Sequence, residues 1–361
     1  MEGSLAVWKT LRELGSGGQG RVSLVVDRDK DPIKRIIEPL KGLVPGTNEE
    51  HKLEELRRRF GDALLDFTSG RYNLGALKQL LSPTKEAKAR LQAEAGVYEK
   101  ISDPHLLRIL DKNLDENWIV TEFQPNGTLS DRLVTFKGDA LKSLRAIRPA
   151  VNVLAKMHTA GFTHRDFKPG NIFIGRDGEV VLGDAGLAFY DDATGSTITQ
   201  TYENVGTREY MPAWAYGERT EIGPTFDCFS VGKVIWAMIA GRPTCRLWYV
   251  LKDEFNLIFP DKTEMLWINE LLGMCVVEEE KDMSIREGQR LVSEIDNTID
   301  AIEANAIPVT YLRRIRRLCR VCRQGFYQRN PTITLGNDGA GNPINPDQCM
   351  SCGHLDFFAE R

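Results

Sequence analysis

Hydrophobic and polar residues alternate in two stretches near the start of the chain, residues 5–14 and 21–26, and this period predicts two β-strands. A glycine-rich segment at residues 15–20, GSGGQG, lies between them and predicts the turn of a hairpin. Residues 31–36, DPIKRI, predict a further strand. Pro32 has no backbone N–H, so it is expected at a position where the sheet needs no hydrogen bond.

Apolar residues then recur at helical spacing. A stripe between residues 53 and 64 predicts one helix, and a second short helix is predicted over 72–81. A third helix is predicted over 84–101, after a proline at position 83. Such a stripe is more typical of helix packing than of a partner site. We therefore expect residues 38–83 to be mainly helical.

Strands and helices continue in the rest of the chain. Residues 118–123 predict a strand that ends in a Pro-Asn-Gly turn at 125–127, a pattern typical of a joint between two lobes. A long helix is predicted over 139–160, and further strands over 172–175 and 180–182.

The composition is that of an ordinary soluble globular protein, with 42% hydrophobic and 27% charged residues among 361. The net charge of −4 predicts no general attraction to nucleic acid. No apolar run reaches the ~18 residues that a membrane span needs, and the first residues lack the pattern of a secretory signal. The seven cysteines are therefore expected as thiols or metal ligands, and a cytoplasmic location is predicted.

One short loop carries the candidate chemistry. Residues 164–171, HRDFKPGN, combine a carboxylate (Asp166), an ammonium group (Lys168) and a carboxamide (Asn171). Phosphoryl transfer to a hydroxyl needs an acceptor that takes the proton, a cation near the moving group and an oxygen ligand for Mg²⁺. The loop closely resembles the catalytic loop of eukaryotic-type (Hanks-type) Ser/Thr protein kinases. The resemblance implies that Asp166 is the base, Lys168 steadies the γ-phosphate and Asn171 binds Mg²⁺.

The resemblance extends to a nucleotide site. A glycine-rich hairpin followed by a strand suits the kinase loop that covers ATP, whereas a dinucleotide-binding loop would open a helix; a plain turn remains the alternative. Asp184 is implied to bridge Mg²⁺ and the phosphates, and Thr121 to be the gatekeeper. The residues assigned to the nucleotide are Gly15, Ser16, Gly17, Gly18, Gln19, Gly20, Val22, Lys34, Thr121, Glu122, Gln124, Phe173 and Asp184.

The phosphate-binding lysine is assigned to Lys34, which lies at the family's distance beyond Val22. Its partner is assigned to Glu94, because the family has a glutamate at this offset before a proline, here Pro104. The alternatives are a solvated lysine at a strand edge and a glutamate on a solvated helix face.

Other positions resemble the family in supporting roles. His158 and His164 are expected to be buried, hydrogen-bonded scaffold, and Asp227 to anchor the catalytic loop. Arg165 and the hydroxyl-rich residues 190–205 predict autophosphorylation, with an ordinary flexible loop as the alternative.

Three positions depart from the family. Pro32 stands where the family has an alanine, and Trp214 where it has a glutamate. Ala185 stands where the family has a phenylalanine, and Tyr98 is predicted to supply the missing volume. These departures motivate an alternative function, a pseudokinase that acts as a scaffold. A kinase for small molecules is a further alternative, although such relatives resemble this catalytic loop less closely.

Two cysteine pairs near the C-terminus are spaced as zinc ligands. Four thiolates can wrap a tetrahedral, structural Zn²⁺, although the spacer of about 26 residues is longer than usual. Six arginines within 313–323 suit nucleic acid or an acidic partner, and a solvated helix face explains them equally well. The proposed ligands are Cys319, Cys322, Cys349 and Cys352.

These observations predict an α+β, two-lobed protein-kinase fold, with a small antiparallel-sheet lobe, a mainly helical large lobe and a zinc ribbon. The predicted activity is transfer of the γ-phosphoryl group of Mg-ATP to Ser/Thr hydroxyls of a protein substrate. The predicted domains are 1–124 (the small lobe, with the insertion 38–83), 125–303 (the large lobe) and 304–361 (the ribbon).

Overall fold

A computed structural model describes twelve segments of the chain, and the chain divides into two compact units. The first unit is Met1–Glu254 with Leu271–Ile299, and the second is Phe255–Glu270 with Asp300–Arg361. The described residues are 3–17, 20–28, 74–81, 83–187, 189–190, 209–215, 222–244, 255–259, 261–304, 327–329, 347–349 and 355–356.

Five strands of the first unit form an antiparallel sheet. They are Trp8–Gly17 (β1), Gly20–Asp27 (β2), Leu74–Leu80 (β3), Ile109–Asn113 (β4) and Trp118–Glu122 (β5). The order across the sheet is β1-β2-β3-β5-β4. Gly17 lies opposite Gly20 at the end of the first hairpin, so the predicted glycine-rich hairpin is confirmed. A core of Trp8, Val25, Leu77, Trp118 and Val120 packs on one face of the sheet.

The segment predicted as a short helix over 72–81 is instead strand β3, so that prediction was wrong. A short apolar run fits the helical and the extended period equally well, and its cross-strand neighbours decide between them. β3 pairs with β2 from Gly20 opposite Leu80 to Val26 opposite Leu74, and with β5 on its other side.

The predicted bounds of the insertion, 38–83, are therefore wrong at their C-terminal end. Residues 28–73 separate β2 from β3, so the additional chain lies between the second and third strands of the sheet. The strand predicted over 31–36 and the helix predicted over 53–64 lie outside the described residues.

Helix α1 (Lys85–Lys100) follows the third strand and supplies part of the site. It begins at Thr84, whose Oγ1 accepts a hydrogen bond from the backbone N–H of Ala87 at 3.2 Å. The helix packs against a 3-10 turn at Ala185–Leu187. Its buried residues are Ala87, Leu91, Glu94, Ala95, Val97 and Tyr98.

Five further helices are described, and two of them carry residues that support the catalytic loop. Their bounds are Ala140–Thr159 (α2), Pro224–Ala240 (α3), Phe255–Ile258 (α4), Met265–Cys275 (α5) and Gly288–Glu303 (α6). Helix α3 is apolar on every side and almost wholly buried, which is typical of a central core helix. No helix in the described segments is long and apolar enough to cross a membrane.

Short strands and 3-10 turns complete the first unit. Phe162–Thr163 (β6) pairs with Phe189–Tyr190 (β9), and Ile172–Ile174 (β7) pairs with Val180–Leu182 (β8). The other 3-10 turns are Leu5–Val7, Leu129–Phe136, Pro169–Asn171, Ala213–Ala215 and Glu280–Asp282. The sheet and the helices together fit the predicted α+β, two-lobed arrangement of a kinase domain.

The second unit contains a small antiparallel sheet of its own. Its strands are Tyr327–Arg329 (β10), Asp347–Cys349 (β11) and Leu355–Asp356 (β12), in the order β10-β11-β12. Cys349 is the last residue of β11. The other three predicted zinc ligands and the arginine cluster lie outside the described residues.

Candidate active site

The catalytic loop holds its carboxylate by contacts within the loop itself. Lys168 Nζ lies 2.8 Å from Asp166 Oδ2. Asn171 Nδ2 donates to the backbone oxygen and to Oδ2 of Asp166, both at 2.8 Å. The 3-10 turn Pro169–Asn171 brings these side chains together across a few residues of sequence.

One oxygen of this carboxylate has no hydrogen-bond partner among the described residues. Asp166 is buried, and within the described part of the chain its Oδ1 receives no hydrogen bond. Burial raises the pKa of Asp166 above its ordinary value, although the Lys168 ammonium opposes that shift. A buried carboxylate oxygen without a partner is suited to accept a hydrogen bond from a hydroxyl group and to take its proton.

The backbone of the loop is anchored from helix α3. The two carboxylate oxygens of Asp227 accept from the backbone N–H groups of His164 and Arg165 at 2.7 and 2.8 Å. Arg165 has a φ of 65°, in the left-handed region, so its conformation needs this support. The predicted anchor is therefore confirmed.

Both histidines are buried scaffold, as predicted. His158 Nδ1 accepts from the Gly288 N–H at 3.0 Å, so its Nε2 is the donor to Asp227 at 2.9 Å. His164 Nδ1 accepts from the Asp166 N–H at 3.3 Å, and its Nε2 donates to the Gly183 carbonyl at 3.2 Å.

Asp184 lies just after strand β8, in a segment that is hydrogen-bonded to the catalytic loop. The Gly183 N–H donates to the Asn171 carbonyl at 2.9 Å, which joins the two segments directly before Asp184. Asp184 has a φ of 53°, a left-handed conformation in which aspartate is tolerated better than most residues. The three oxygen-bearing side chains predicted at the phosphoryl-transfer site, Asp166, Asn171 and Asp184, thus belong to one hydrogen-bonded assembly.

The lysine that completes this assembly is Lys78. Its Nζ lies 2.7 Å from Glu94 Oε2 and 3.1 Å from Asp184 Oδ1. Lys34 lies outside the described residues, and the ion pair predicted for it with Glu94 is formed by Lys78 instead. The Lys34 prediction is corrected accordingly: the strand next to β2 in the sheet is β3, and β3 carries Lys78.

The sequence itself contains a signal for Lys78. β3 reads LGALKQL, with an alanine two residues before the lysine, whereas Pro32 stands two residues before Lys34. Lys78 also precedes Glu94 by only 16 residues.

Burial and mutual charge interactions together shift the pKa values within the cluster of Lys78, Glu94 and Asp184. Burial alone would lower the pKa of Lys78, but the carboxylates of Glu94 and Asp184 outweigh it and raise that pKa. The ammonium of Lys78 lowers the pKa of Asp184. Burial raises the pKa of Glu94, against the attraction of Lys78. An ammonium and an ionised Asp184 therefore face each other where a metal-bound polyphosphate would need both.

Two residues predicted to contact a nucleotide base, Val22 and Thr121, lie on the same face of the sheet. Val22 lies directly opposite Lys78, and Thr121 lies opposite Ala76. Because directly opposed residues point to the same face, Val22, Ala76, Lys78 and Thr121 share one face of the sheet. Thr121 is buried at the end of this row.

The other predicted nucleotide contacts occupy the ends of these strands. Gly15, Ser16, Gly17 and Gly20 form the β1–β2 hairpin, while Gly18 and Gln19 lie outside the described residues. Glu122 ends β5, Gln124 follows it in the joint, and Phe173 is half-buried on β7.

The described residues contain no group of three or more His, Cys, Asp or Glu side chains placed to hold a metal ion. Asp184 and Asn171 are a mixed carboxylate and amide pair, the oxygen donors that suit Mg²⁺ together with nucleotide phosphates and water. Their chemistry therefore fits the magnesium ion that the fold implies.

Comparison with known proteins supports the geometry. The protein kinase domain profile matches residues 59–294, which is more than half of the chain. A probable serine/threonine-protein kinase PknB of Bifidobacterium longum is 32% identical over 168 residues, 43% of this chain and 24% of the relative. Serine/threonine-protein kinase PAK 1 of Mus musculus is 30% identical over 173 residues, 46% of this chain and 30% of the relative.

Similarity also reaches proteins with other named domains. U-box domain-containing protein 52 of Arabidopsis thaliana is 27% identical over 228 residues, 57% of this chain and 27% of the relative. The matched segments thus span less than a third of the length of these relatives. The profile match, the buried catalytic loop and the ion cluster of Lys78, Glu94 and Asp184 agree, and the chain belongs to the protein kinase family.

Proposed function

We propose that the protein is a serine/threonine-protein kinase that transfers the γ-phosphoryl group of Mg-ATP to a hydroxyl group of a protein. The observation that carries the proposal is the buried Oδ1 of Asp166, which has no hydrogen-bond partner among the described residues, on a carboxylate that Lys168 and Asn171 hold through Oδ2. The names of the relatives PknB and PAK 1 support the Ser/Thr class.

In this mechanism, each side chain has a separate task. Asp166 accepts a hydrogen bond from the substrate hydroxyl at Oδ1 and takes its proton as the oxygen bonds to the γ-phosphorus. The bond from that phosphorus to the β-γ bridging oxygen breaks, and ADP is the leaving group. Lys168 balances charge on the transferred group, and Lys78, held by Glu94, binds the α- and β-phosphates. Positioning and charge compensation supply the catalysis.

Asp184 and Asn171 would hold the magnesium ion, which neutralises phosphate charge when it is bound. The left-handed backbone at Asp184 points to a carboxylate that the fold sets in place before the nucleotide arrives. Val22, Thr121 and the backbone of Glu122 to Gln124 would enclose the adenine.

The test is phosphate incorporation from labelled Mg-ATP into a general protein acceptor, using the full chain. Asp166→Asn is expected to lower the rate roughly 1000-fold, because the amide cannot take the proton. Asp139→Asn is the matched control, since Asp139 only caps helix α2 and asparagine caps equally well. A wild-type chain that binds nucleotide but transfers no phosphate would favour the pseudokinase alternative.

Autophosphorylation belongs to the same proposal. Residues 191–208 lie outside the described segments, and the support is their content of Ser and Thr together with Arg165, a cation beside Asp166 in the sequence with which a phosphate could pair. The candidate acceptors are Thr194, Ser196, Thr197, Thr199 and Thr201. Mass spectrometry after incubation with Mg-ATP is expected to find phosphate on this segment in the wild type and none in Asp166→Asn.

We also propose a structural Zn²⁺ bound by Cys319, Cys322, Cys349 and Cys352. The support is the spacing of the two cysteine pairs, each separated by two residues. The first cysteine of the second pair, Cys349, is the last residue of β11. Elemental analysis of the full chain is expected to find about one zinc per molecule, and Cys349→Ser is expected to lose it. The arginine cluster at 313–323 is proposed as a contact for nucleic acid or an acidic protein, which a salt series of binding measurements would test.

A further inference from the structure

Tyr98 touches two elements of the site without belonging to the groups that handle phosphate. It lies on α1 one turn after Glu94 and is buried. Its hydroxyl donates to Glu94 Oε1 at 3.2 Å. The same oxygen accepts from the backbone N–H of Ala185 at 3.5 Å. Tyr98 therefore connects helix α1 to the turn that directly follows Asp184.

These contacts engage both oxygens of the Glu94 carboxylate. Oε2 accepts from Lys78 and Oε1 accepts from Tyr98. The Tyr98 hydroxyl likewise acts once as a donor and once as an acceptor. A buried hydroxyl that lost either partner would keep an uncompensated polar group, so the arrangement favours one conformation of Glu94.

The turn itself has little side-chain volume with which to fix its position. Ala185 is fully buried and contributes a single methyl group. Gly186 adds none, and a Cβ there would already lie 3.5 Å from Glu94 Oε2 and 3.6 Å from Lys78 Nζ. The turn therefore lies in contact with the ion cluster while it contributes little side-chain volume of its own to hold that position.

We propose that Tyr98 is a positioning residue of the phosphoryl-transfer site. Its hydroxyl fixes Glu94 relative to the turn after Asp184, and Glu94 in turn keeps Lys78 aligned. The proposal rests on the proposed kinase activity and deepens it. The two hydrogen bonds of Tyr98 replace the packing that an aromatic side chain at position 185 would supply. Removal of the Tyr98 hydroxyl is therefore expected to misalign Lys78 without removing any group that takes part in phosphoryl transfer.

The first test is Tyr98→Phe in the full chain, which deletes the hydroxyl and keeps the ring. We expect kcat/KM for ATP to fall roughly tenfold, the size typical of losing one hydrogen bond to a charged group. Ser143→Ala is the matched control: it also deletes a buried hydroxyl, one that bonds the Asp139 carbonyl at 2.6 Å far from the site. The control is expected to lower the melting temperature about as much and to leave kcat/KM unchanged.

The second test is a volume exchange. Tyr98→Ala is expected to lose more activity than Tyr98→Phe, and adding Ala185→Phe to it is expected to restore part of that loss, because an aromatic ring then fills the same gap from the other side. A fall in kcat/KM that a conservative exchange rescues separates positioning from a general loss of stability.

A third measurement does not depend on catalysis. Magnesium and a non-hydrolysable ATP analogue are expected to raise the melting temperature of the wild type more than that of Tyr98→Phe. If the wild type transfers no phosphate, the proposed function fails while this comparison still tests Tyr98. Equal kcat/KM and an equal thermal shift in Tyr98→Phe and the wild type would overturn the inference.

Discussion

The catalytic loop and the ion cluster around Lys78 both position a charged group for phosphoryl transfer, but they do so by opposite means. Asp166 is fixed by Lys168 and Asn171, which lie two and five residues away in the sequence. Lys78 is fixed by Glu94 and Asp184, which lie 16 and 106 positions away. One arrangement is built by a single turn, and the other needs a strand, a helix and a loop to meet.

This difference explains where each arrangement is sensitive. A loop whose contacts are local keeps its geometry whenever its backbone conformation is kept. The cluster of Lys78, Glu94 and Asp184 depends in addition on the register of β3 and on the packing of α1 against the turn Ala185–Leu187. Substitutions far from the phosphate are therefore expected to act on Lys78 more readily than on Asp166.

The largest expected effect concerns the hydrogen bonds between Asp227 and the backbone of the catalytic loop. Asp227→Asn leaves the N–H groups of His164 and Arg165 with one good acceptor fewer in a fully buried site. We expect a loss of about 3 kcal/mol in the free energy of unfolding. Denaturant unfolding measures it, with the exposed Asp282→Asn as the control. A loss below about 1 kcal/mol would mean that the loop is self-supporting.

The same carboxylate predicts a pH dependence. Burial would raise the pKa of Asp227, but hydrogen bonds from His158 and from the loop backbone outweigh it and lower that pKa below the ordinary 3.8. A carboxyl group with a lowered pKa stabilises the fold above the unfolded value, and that contribution is lost as the pH falls through the folded value. The stability difference between the wild type and Asp227→Asn should therefore shrink as the pH falls below about 4.

The next effect tests which lysine serves the phosphates. Lys78→Met is expected to lower kcat/KM for ATP roughly 100-fold, because it removes the cation that Glu94 holds in place. Lys34→Met is the matched control, and its rate is expected to stay close to that of the wild type. The reverse ranking of the two variants would restore the assignment made from the sequence.

A smaller effect examines the register of β3. A Cβ at Gly75 would lie 2.3 Å from Val120 Cγ1 and 3.1 Å from Val25 Cγ2, so Gly75→Ala must displace these packed valine side chains. We expect a loss of about 2 kcal/mol in the free energy of unfolding. Gly96→Ala on α1 is the control, since no atom lies within 4 Å of its added Cβ and alanine favours the helix. Equal stability of the two variants would contradict the observed strand packing.

The smallest expected effect concerns a pair on the protein surface. Arg148 on α2 donates two hydrogen bonds to Asp296 on α6, and both side chains are about 40% exposed. Solvent screens such a pair, so Arg148→Met should cost less than about 1 kcal/mol. A double-mutant cycle with Asp296→Asn measures the coupling, and a value above about 2 kcal/mol would place this contact among the structural anchors.

Sequence reasoning succeeded where the information was contiguous. The order of residues from His164 to Asn171 predicts a loop, and the structure builds that loop from the same residues. The scaffold roles of His158, His164 and Asp227 also follow, because each of these positions lies at a fixed offset from a recognisable motif.

Sequence reasoning failed where a long connection had to be located. Residues 31–36 and 74–80 both fit a short strand that carries a lysine, and within the segments only Ala76, two residues before Lys78, favours the second. Pairing with β2 and β5 decides it for Lys78, and such pairing is a property of the folded sheet. The contact from Tyr98 to Ala185 was anticipated only as a volume, since a pattern of residue types does not reveal that a hydroxyl reaches a backbone N–H.

The uninterrupted pairing of β2 with β3 has a further consequence for how this domain tolerates change. Neighbouring strands keep their alignment although residues 28–73 intervene, so the ladder of hydrogen bonds determines the position of Lys78. The entropy of closing a connection rises only with the logarithm of its length. The connection between β2 and β3 is therefore expected to tolerate insertions and deletions during evolution at a small cost in the free energy of folding. The position of Lys78 would not change, because strand pairing sets it.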